Sequence, residues 1–257
     1  MRTLFFKLAL GLSTLFFSLL AVAGGLARAN KKWFDWVHRN WSRSVLAAAG
    51  ARIRLEGAEH TDPEAALIYM SNHQSGFDIW AILAALPGSI RFVTKQELAQ
   101  IPIFSSACRA AGHVFIDRTN PATAGEEIRV AGARMRSEGL SLMVFPEGSR
   151  MPSGDMRRFK KGAFTLALEI GVPLVPVAIT GGADIMANNG GRVRPGTIRV
   201  RCGRPIPLAG LGQEERDRLM ASTRELIEAM LREMTVVEGQ DGQTAVAPAP
   251  DRPAVDG

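Results

Sequence analysis

The chain reads as an α/β protein with a mostly parallel central sheet flanked by helices, preceded by an N-terminal helical membrane anchor. Three observations predict this. Short apolar runs bounded by turn residues alternate with helix-length segments, the pattern of a parallel sheet with helices on its faces. Residues 8–27 form a stretch without a single charge, long enough to cross a hydrocarbon core. A hydrophobic share of 46% over 257 residues is ample for one core.

Strands are expected over 53–56, 65–70, 89–94, 113–116, 140–145, 174–179 and 197–201. A helix over 79–86 stops before Pro87 and Gly88. The helix over 121–138 has Pro121 at its first position and Gly139 at its C-cap. A third helix, 164–170, ends at Gly171 and Pro173, and an amphipathic helix runs over 213–234. The division is 1–49 as anchor, 50–237 as α/β domain and 238–257, rich in Pro, Ala, Gly, Asp and Gln, as a disordered tail.

Arg2 and Lys7 precede the apolar stretch, and Ala21-Val22-Ala23 is compatible with signal-peptide cleavage. Arg28, Lys31, Lys32, Arg39 and Arg43 follow with only Asp35 against them, a flank that resists translocation. Trp33, Val37 and Trp41 recur at helical spacing among these cations, as on an interfacial helix. Residues 4–49 therefore form one span or a hairpin dipping into one leaflet; the alternative is two core helices of a soluble protein.

A net charge of +6 asks for an anionic partner. Aromatic residues are not interleaved with the basic clusters in a stacking pattern, which argues against nucleic acid. Four histidines and two cysteines offer no zinc-like cluster and no disulfide framework, so no metal is expected.

Of the four histidines, His73 alone has a carboxylate at short spacing with a glycine between: Asn72-His73-Gln74-Ser75-Gly76-Phe77-Asp78. On one straight helix, residues five apart point about 140° from each other. The pair must straddle a turn, with His73 past a strand end and Asp78 near a helix N-terminus. Asp78 can then fix the imidazole tautomer and leave the other nitrogen as a base; a capping aspartate beside a loop histidine is the plain alternative. Phe115-Ile116-Asp117-Arg118 and Phe145-Pro146-Glu147-Gly148-Ser149-Arg150 place arginines beyond strand ends, and Arg157, Arg158, Lys160 and Lys161 bring four cations to a helix start. Such arginines suit a phosphate, unless they serve only as surface ion pairs.

These blocks, with Val172-Pro173-Leu174-Val175-Pro176-Val177, resemble in order and spacing the four motifs of the glycerolipid acyltransferase family, most closely its bacterial 1-acylglycerol-3-phosphate members, over about residues 50–205. Ser149 stands where Thr is usual, and Met151 where a small polar residue is common. The resemblance implies His73 as general base on a lysolipid hydroxyl and Asp78 as its orienting carboxylate. Arg118 would bind the phosphate, and Glu147, Gly148, Ser149, Arg150 and Lys160 would complete the acceptor site. Acyl-CoA or acyl carrier protein would be the co-substrate, with no other cofactor. The partners would be a lysophospholipid and the membrane, with the domain on the cytoplasmic face of the inner membrane. Other lysolipid acceptors (a lyso-ornithine lipid, for example), a thioester or ester hydrolase, and a non-catalytic lipid-binding membrane protein remain open on these residues.

Overall fold

Successive side chains of a strand point to opposite faces of its sheet, and this alternation sorts the hydrophobic residues into two layers. Along β2 (Ile68–Ser71), Ile68 and Met70 enter one core and Tyr69 the other. Along β5 (Ser141–Val144), Leu142 and Val144 share the first core and Met143 the second. In the computed structural model of the chain, residues 1–95, 99–116, 121–151, 156–186 and 191–243 are described.

The remaining strands are β1 (Ala51–Glu56), β3 (Ile90–Lys95), β4 (Val114–Ile116), β6 (Leu174–Thr180) and β7 (Gly196–Cys202), in the order β1-β7-β6-β2-β5-β3-β4. Neighbours pair in parallel except β6 with β7. The mostly parallel expectation is met. The reversal follows α7 (Gly182–Ile185), a single turn that does not carry the chain back along β6 as a full crossover helix would. β2, β5 and nearly all of β6 are buried, as central strands covered on both faces must be.

One face is covered by α5 (Pro121–Glu138), α6 (Lys161–Ile170) and α8 (Arg216–Gln243). The other is covered by α3 (Phe77–Ala85) and α2 (Lys31–Ala49), with Phe6 of α1 (Arg2–Leu26) stacked on Phe77. Two corrections to the domain boundaries follow. Residues 1–49 share the core of the α/β domain instead of standing apart, since Phe6, Val45, Leu46 and Ala49 are buried in it. α8 continues to Gln243, into the segment expected to be disordered; residues 244–257 lie outside the described residues.

Among the described residues, α4 (Pro102–Ala111) has no counterpart in the sequence reading. Its alanines pack on α1 through close approach: a side chain on Gly25 would place its Cβ 2.7 Å from that of Ala110. α2 is tied to β3 by Asp35, which accepts from the Arg91 guanidinium at 2.8 Å and from the Ser89 hydroxyl at 2.5 Å.

Asn72, the first residue after β2, stitches two strand ends together. Its Nδ2 donates to the Ile179 carbonyl at 2.8 Å and its Oδ1 accepts from the Ile179 N–H at 2.9 Å. Both bonds are buried, so Asn72→Leu should destabilise the protein by about 2–4 kcal/mol, because a buried donor and acceptor on Ile179 lose their partner. Urea unfolding measures it; a loss under about 0.5 kcal/mol would show that the backbone finds other partners.

Candidate active site

β2 ends at Ser71 and the chain turns through 72–76 before α3 begins. Asp78, in the first turn of α3 and fully buried, holds that turn. Its Oδ2 accepts from the backbone N–H of Gln74 at 2.7 Å and of Ser75 at 2.8 Å. The same oxygen accepts from His73 Nδ1 at 2.8 Å. The positive end of the helix dipole and these donors stand in for the water that a buried carboxylate loses. A side chain on Gly182 would put Cβ 2.6 Å from Asp78 Oδ1, so the α7 terminus can approach only as glycine.

The Nδ1–H bond decides the tautomer of a neutral His73 and leaves Nε2 with its lone pair. In agreement, Arg150 Nε donates to His73 Nε2 at 3.4 Å. The segment after β5 clasps the histidine on three sides. The His73 N–H donates to Glu147 Oε1 at 2.8 Å. The His73 carbonyl accepts from Met151 N–H, also at 2.8 Å. The Phe145 ring stacks on the imidazole with centroids 3.9 Å apart.

The sequence-predicted substrate residues divide by this geometry. Glu147 is buried, and its second oxygen accepts from the Arg157 N–H at 2.9 Å. Burial pushes its carboxyl above the ordinary value, against the pull of those two backbone donors. With both oxygens engaged by backbone N–H groups, Glu147 braces His73 in this structure. Gly148 has φ +74°, and the Lys160 side chain passes over it, 2.8 Å from where a Cβ would stand. Ser149 Oγ accepts from Arg157 at 3.2 Å. Ser149, Arg150, Arg157 and Lys160 are exposed, so the cations face outward beside the histidine. Arg118 lies outside the described residues. Among those residues, no group of three or more His, Cys, Asp or Glu side chains could hold a metal ion.

Sequence reasoning missed the structural roles of Asn72, Phe145 and Gly182. The first two lie inside quoted motifs, where an asparagine directly after an apolar run and an aromatic before Pro-Glu-Gly were the available signals. Nothing in the sequence marks Gly182 as the neighbour of Asp78.

A cavity of about 950 Å³ joins this polar site to the N-terminal helices: His73, Gly76 and Phe145 line it together with Phe17, Trp41 and Ala107. The imidazole, its buried carboxylate and an apolar cavity beside them define a site with the chemistry to activate a hydroxyl next to a long apolar ligand. The known proteins agree with that class. The sequence profile of the Acyltransferase family matches residues 52–180. Human 1-acyl-sn-glycerol-3-phosphate acyltransferase alpha is 32% identical over 193 residues, covering 75% of this chain and 68% of the relative. The Cocos nucifera 1-acyl-sn-glycerol-3-phosphate acyltransferase is 36% identical over 164 residues, covering 64% and 53%. The crystal structure of the LPA acyltransferase PlsC from Thermotoga maritima superposes with a TM-score of 0.76 at 25% identity, covering 91% of this chain and 95% of that one. The chain belongs to the acyltransferase family.

If Glu147 is a brace, Glu147→Gln should lower kcat about 10–10²-fold through misplacement of His73, with the acceptor KM within about twofold. A substrate contact would instead raise KM with kcat little changed, and steady-state kinetics separates the two.

Proposed function

We propose that the protein transfers an acyl group from acyl-CoA or acyl carrier protein to the sn-2 hydroxyl of 1-acylglycerol-3-phosphate, giving phosphatidate. The observation that carries this is the orientation of His73: Nδ1–H is held by Asp78, and the ring lines a cavity shared with apolar helices. The names of the relatives supply the acceptor.

In the reaction, the acceptor hydroxyl takes the place of Arg150 at His73 Nε2. As the hydroxyl oxygen attacks the thioester carbonyl, its proton passes to Nε2, and Asp78 stabilises the imidazolium. The negative charge on the carbonyl oxygen is met by the N-terminus of α3, where the Gly76 backbone lies. Collapse of the tetrahedral intermediate expels the thiolate, which recovers the proton from His73. The ester and the free thiol leave, and no acyl-enzyme forms. Arg118 and the displaced Arg150 hold the acceptor phosphate, assisted by Lys160.

The membrane reading becomes specific in the same way. α1 is long and apolar enough to cross a membrane, with 17% of its most apolar window buried. Yet both its ends are tied to the protein: Thr3 Oγ1 accepts from Val193 N–H, and Gly25 lies against Ala110. Its outward face exposes Leu4, Leu8, Leu12, Leu15 and Leu19, spaced as one helical stripe. This supports a helix lying in one leaflet in preference to a free span, with the cavity opening beside it. We place that leaflet on the cytoplasmic side of the inner membrane, following the basic flank at 28–43.

His73→Ala should lose about 10²–10⁴-fold in rate while circular dichroism stays native; retained activity would remove His73 as the base. Arg118→Ala should raise the KM for the phosphorylated acceptor and leave that for the acyl donor, whereas equal effects on both would mark a structural role. A panel of lysolipids with labelled acyl-CoA tests the acceptor, and donor consumption without any acceptor would identify a hydrolase. The double variant Leu12→Lys, Leu19→Lys should cease to sediment with anionic phospholipid vesicles. Undiminished sedimentation would show that this face is not the membrane contact.

A further inference from the structure

Arg150 covers the two groups that acyl transfer uses. Its Nε donates to His73 Nε2 at 3.4 Å. Its guanidinium carbon and both terminal nitrogens each lie 3.8 Å from where a Cβ on Gly76 would stand. One planar group therefore rests on the imidazole nitrogen and on the N-terminus of α3 at the same time.

The other polar groups of His73 are already taken. Nδ1–H is held by Asp78, the backbone N–H by Glu147 and the carbonyl by Met151. Nε2 is what remains for proton transfer, and it has a single lone pair. While that lone pair accepts from Arg150, it cannot accept a proton from a water molecule.

The contact is one that the right ligand can break. At 3.4 Å it is longer than an ordinary N–H bond of roughly 2.7–3.2 Å. Its acceptor is a neutral nitrogen, and Arg150 has no carboxylate partner among the described residues. The side chain is exposed, while the backbone beside it is anchored by the bond from Met151 N–H to the His73 carbonyl at 2.8 Å. Arg157 of the same loop differs, because Ser149 Oγ at 3.2 Å and Met151 Sδ at 3.5 Å already engage it. A phosphate offers charged oxygens in the fork geometry of a guanidinium, with bonds about twice as strong as neutral ones. It can draw Arg150 off the histidine, and water, which carries no charge, cannot.

We propose that Arg150 makes the site choose a phosphorylated acceptor over water: it blocks His73 Nε2 against hydrolysis until an acceptor phosphate draws it away. The proposal rests on the acyl-transfer reading above and deepens it, naming the residue that decides between transfer and hydrolysis. In the suppressed reaction a water oxygen attacks the thioester carbonyl and the C–S bond breaks. The water proton passes through His73 Nε2 to the thiolate, leaving a fatty acid and a thiol.

The test uses the purified full chain and labelled acyl-CoA, with fatty acid and phospholipid products counted by mass spectrometry. The first arm needs no variant. Its probe is an acceptor analogue that keeps the phosphate and has hydrogen in place of the 2-hydroxyl, at a concentration that halves transfer to the true acceptor. It should raise fatty-acid release by about 10-fold or more over donor alone. The same analogue with a methyl ether in place of the phosphate should leave release at the donor-only level. Arg150→Met keeps the side-chain length and removes its N–H groups. This variant should release fatty acid from donor alone about 10-fold faster than the wild type and lose the response to the analogue, while its transfer rate falls. The proposal is overturned if the phosphorylated analogue leaves wild-type release unchanged or fails to compete with the acceptor. It is equally overturned if Arg150→Met, with native circular dichroism, releases no faster than the wild type; should the variant not fold, the wild-type arm decides alone. In each of these cases continued transfer to a lysolipid keeps the acyl-transfer reading. Fatty-acid release without transfer to any lysolipid would overturn that reading, and this proposal with it.

Discussion

A single carboxylate oxygen, Asp78 Oδ2, accepts three donors at once, and the geometry of the site hangs on it. A fully buried carboxylate must replace its lost hydration with hydrogen bonds. Two of these come from the backbone just before α3, which defines the turn. The third comes from the imidazole, which defines the tautomer. One interaction therefore begins a helix, closes a loop and fixes the imidazole with its lone pair on Nε2. Its burial depends on neighbours that add no bulk, which is why Gly182 can lie against its other oxygen.

Around that oxygen the chain is held by contacts from strands adjacent to β2. The loop after β5 grips His73 at both its N–H and its carbonyl, and Asn72 binds the end of β6. β2 lies between β5 and β6 in the sheet, so a residue just past its end is reached from both sides. The histidine is thus placed by rigid elements, as the proposed role of base on a hydroxyl within hydrogen-bond reach requires. The exposed Arg150 of the β5 loop and the apolar helices α1, α2 and α4 meet at the same cavity. A lipid with a charged head and an apolar tail finds both of its solvents there.

Much of this was legible in the sequence, for stated reasons. Strands and their burial follow from apolar runs of the right length. The α5 boundaries follow from Pro121 and Gly139. The turn between His73 and Asp78 follows from the angle that five helical positions would impose. α4 was hidden because it is short and the residues it buries, Ala107, Cys108 and Ala111, are small, so its stripe is weak beside the long apolar runs that flank the sheet. Glu147 was assigned to the acceptor site by the resemblance alone, because an acidic residue beside glycine and arginine in a strand-end loop has the same appearance whether it faces outward or inward. Only its burial and its two backbone partners distinguish a brace from a contact.

Local chemistry is written in adjacent residues, so the sequence by itself determined the α/β class, the polar turn with its histidine and carboxylate, the basic strand-end loops and the apolar N-terminal segment. Contacts between residues far apart in the chain leave no such local trace. Tertiary structure alone decided that the N-terminal helices share the core and wall the cavity, and that Gly182 abuts Asp78. It also decided that His113 and His38, distant in sequence, meet with their Nε2 atoms 3.1 Å apart. Each of these depends on where packing brings a distant side chain, and on which donors and acceptors remain once the backbone has taken its share.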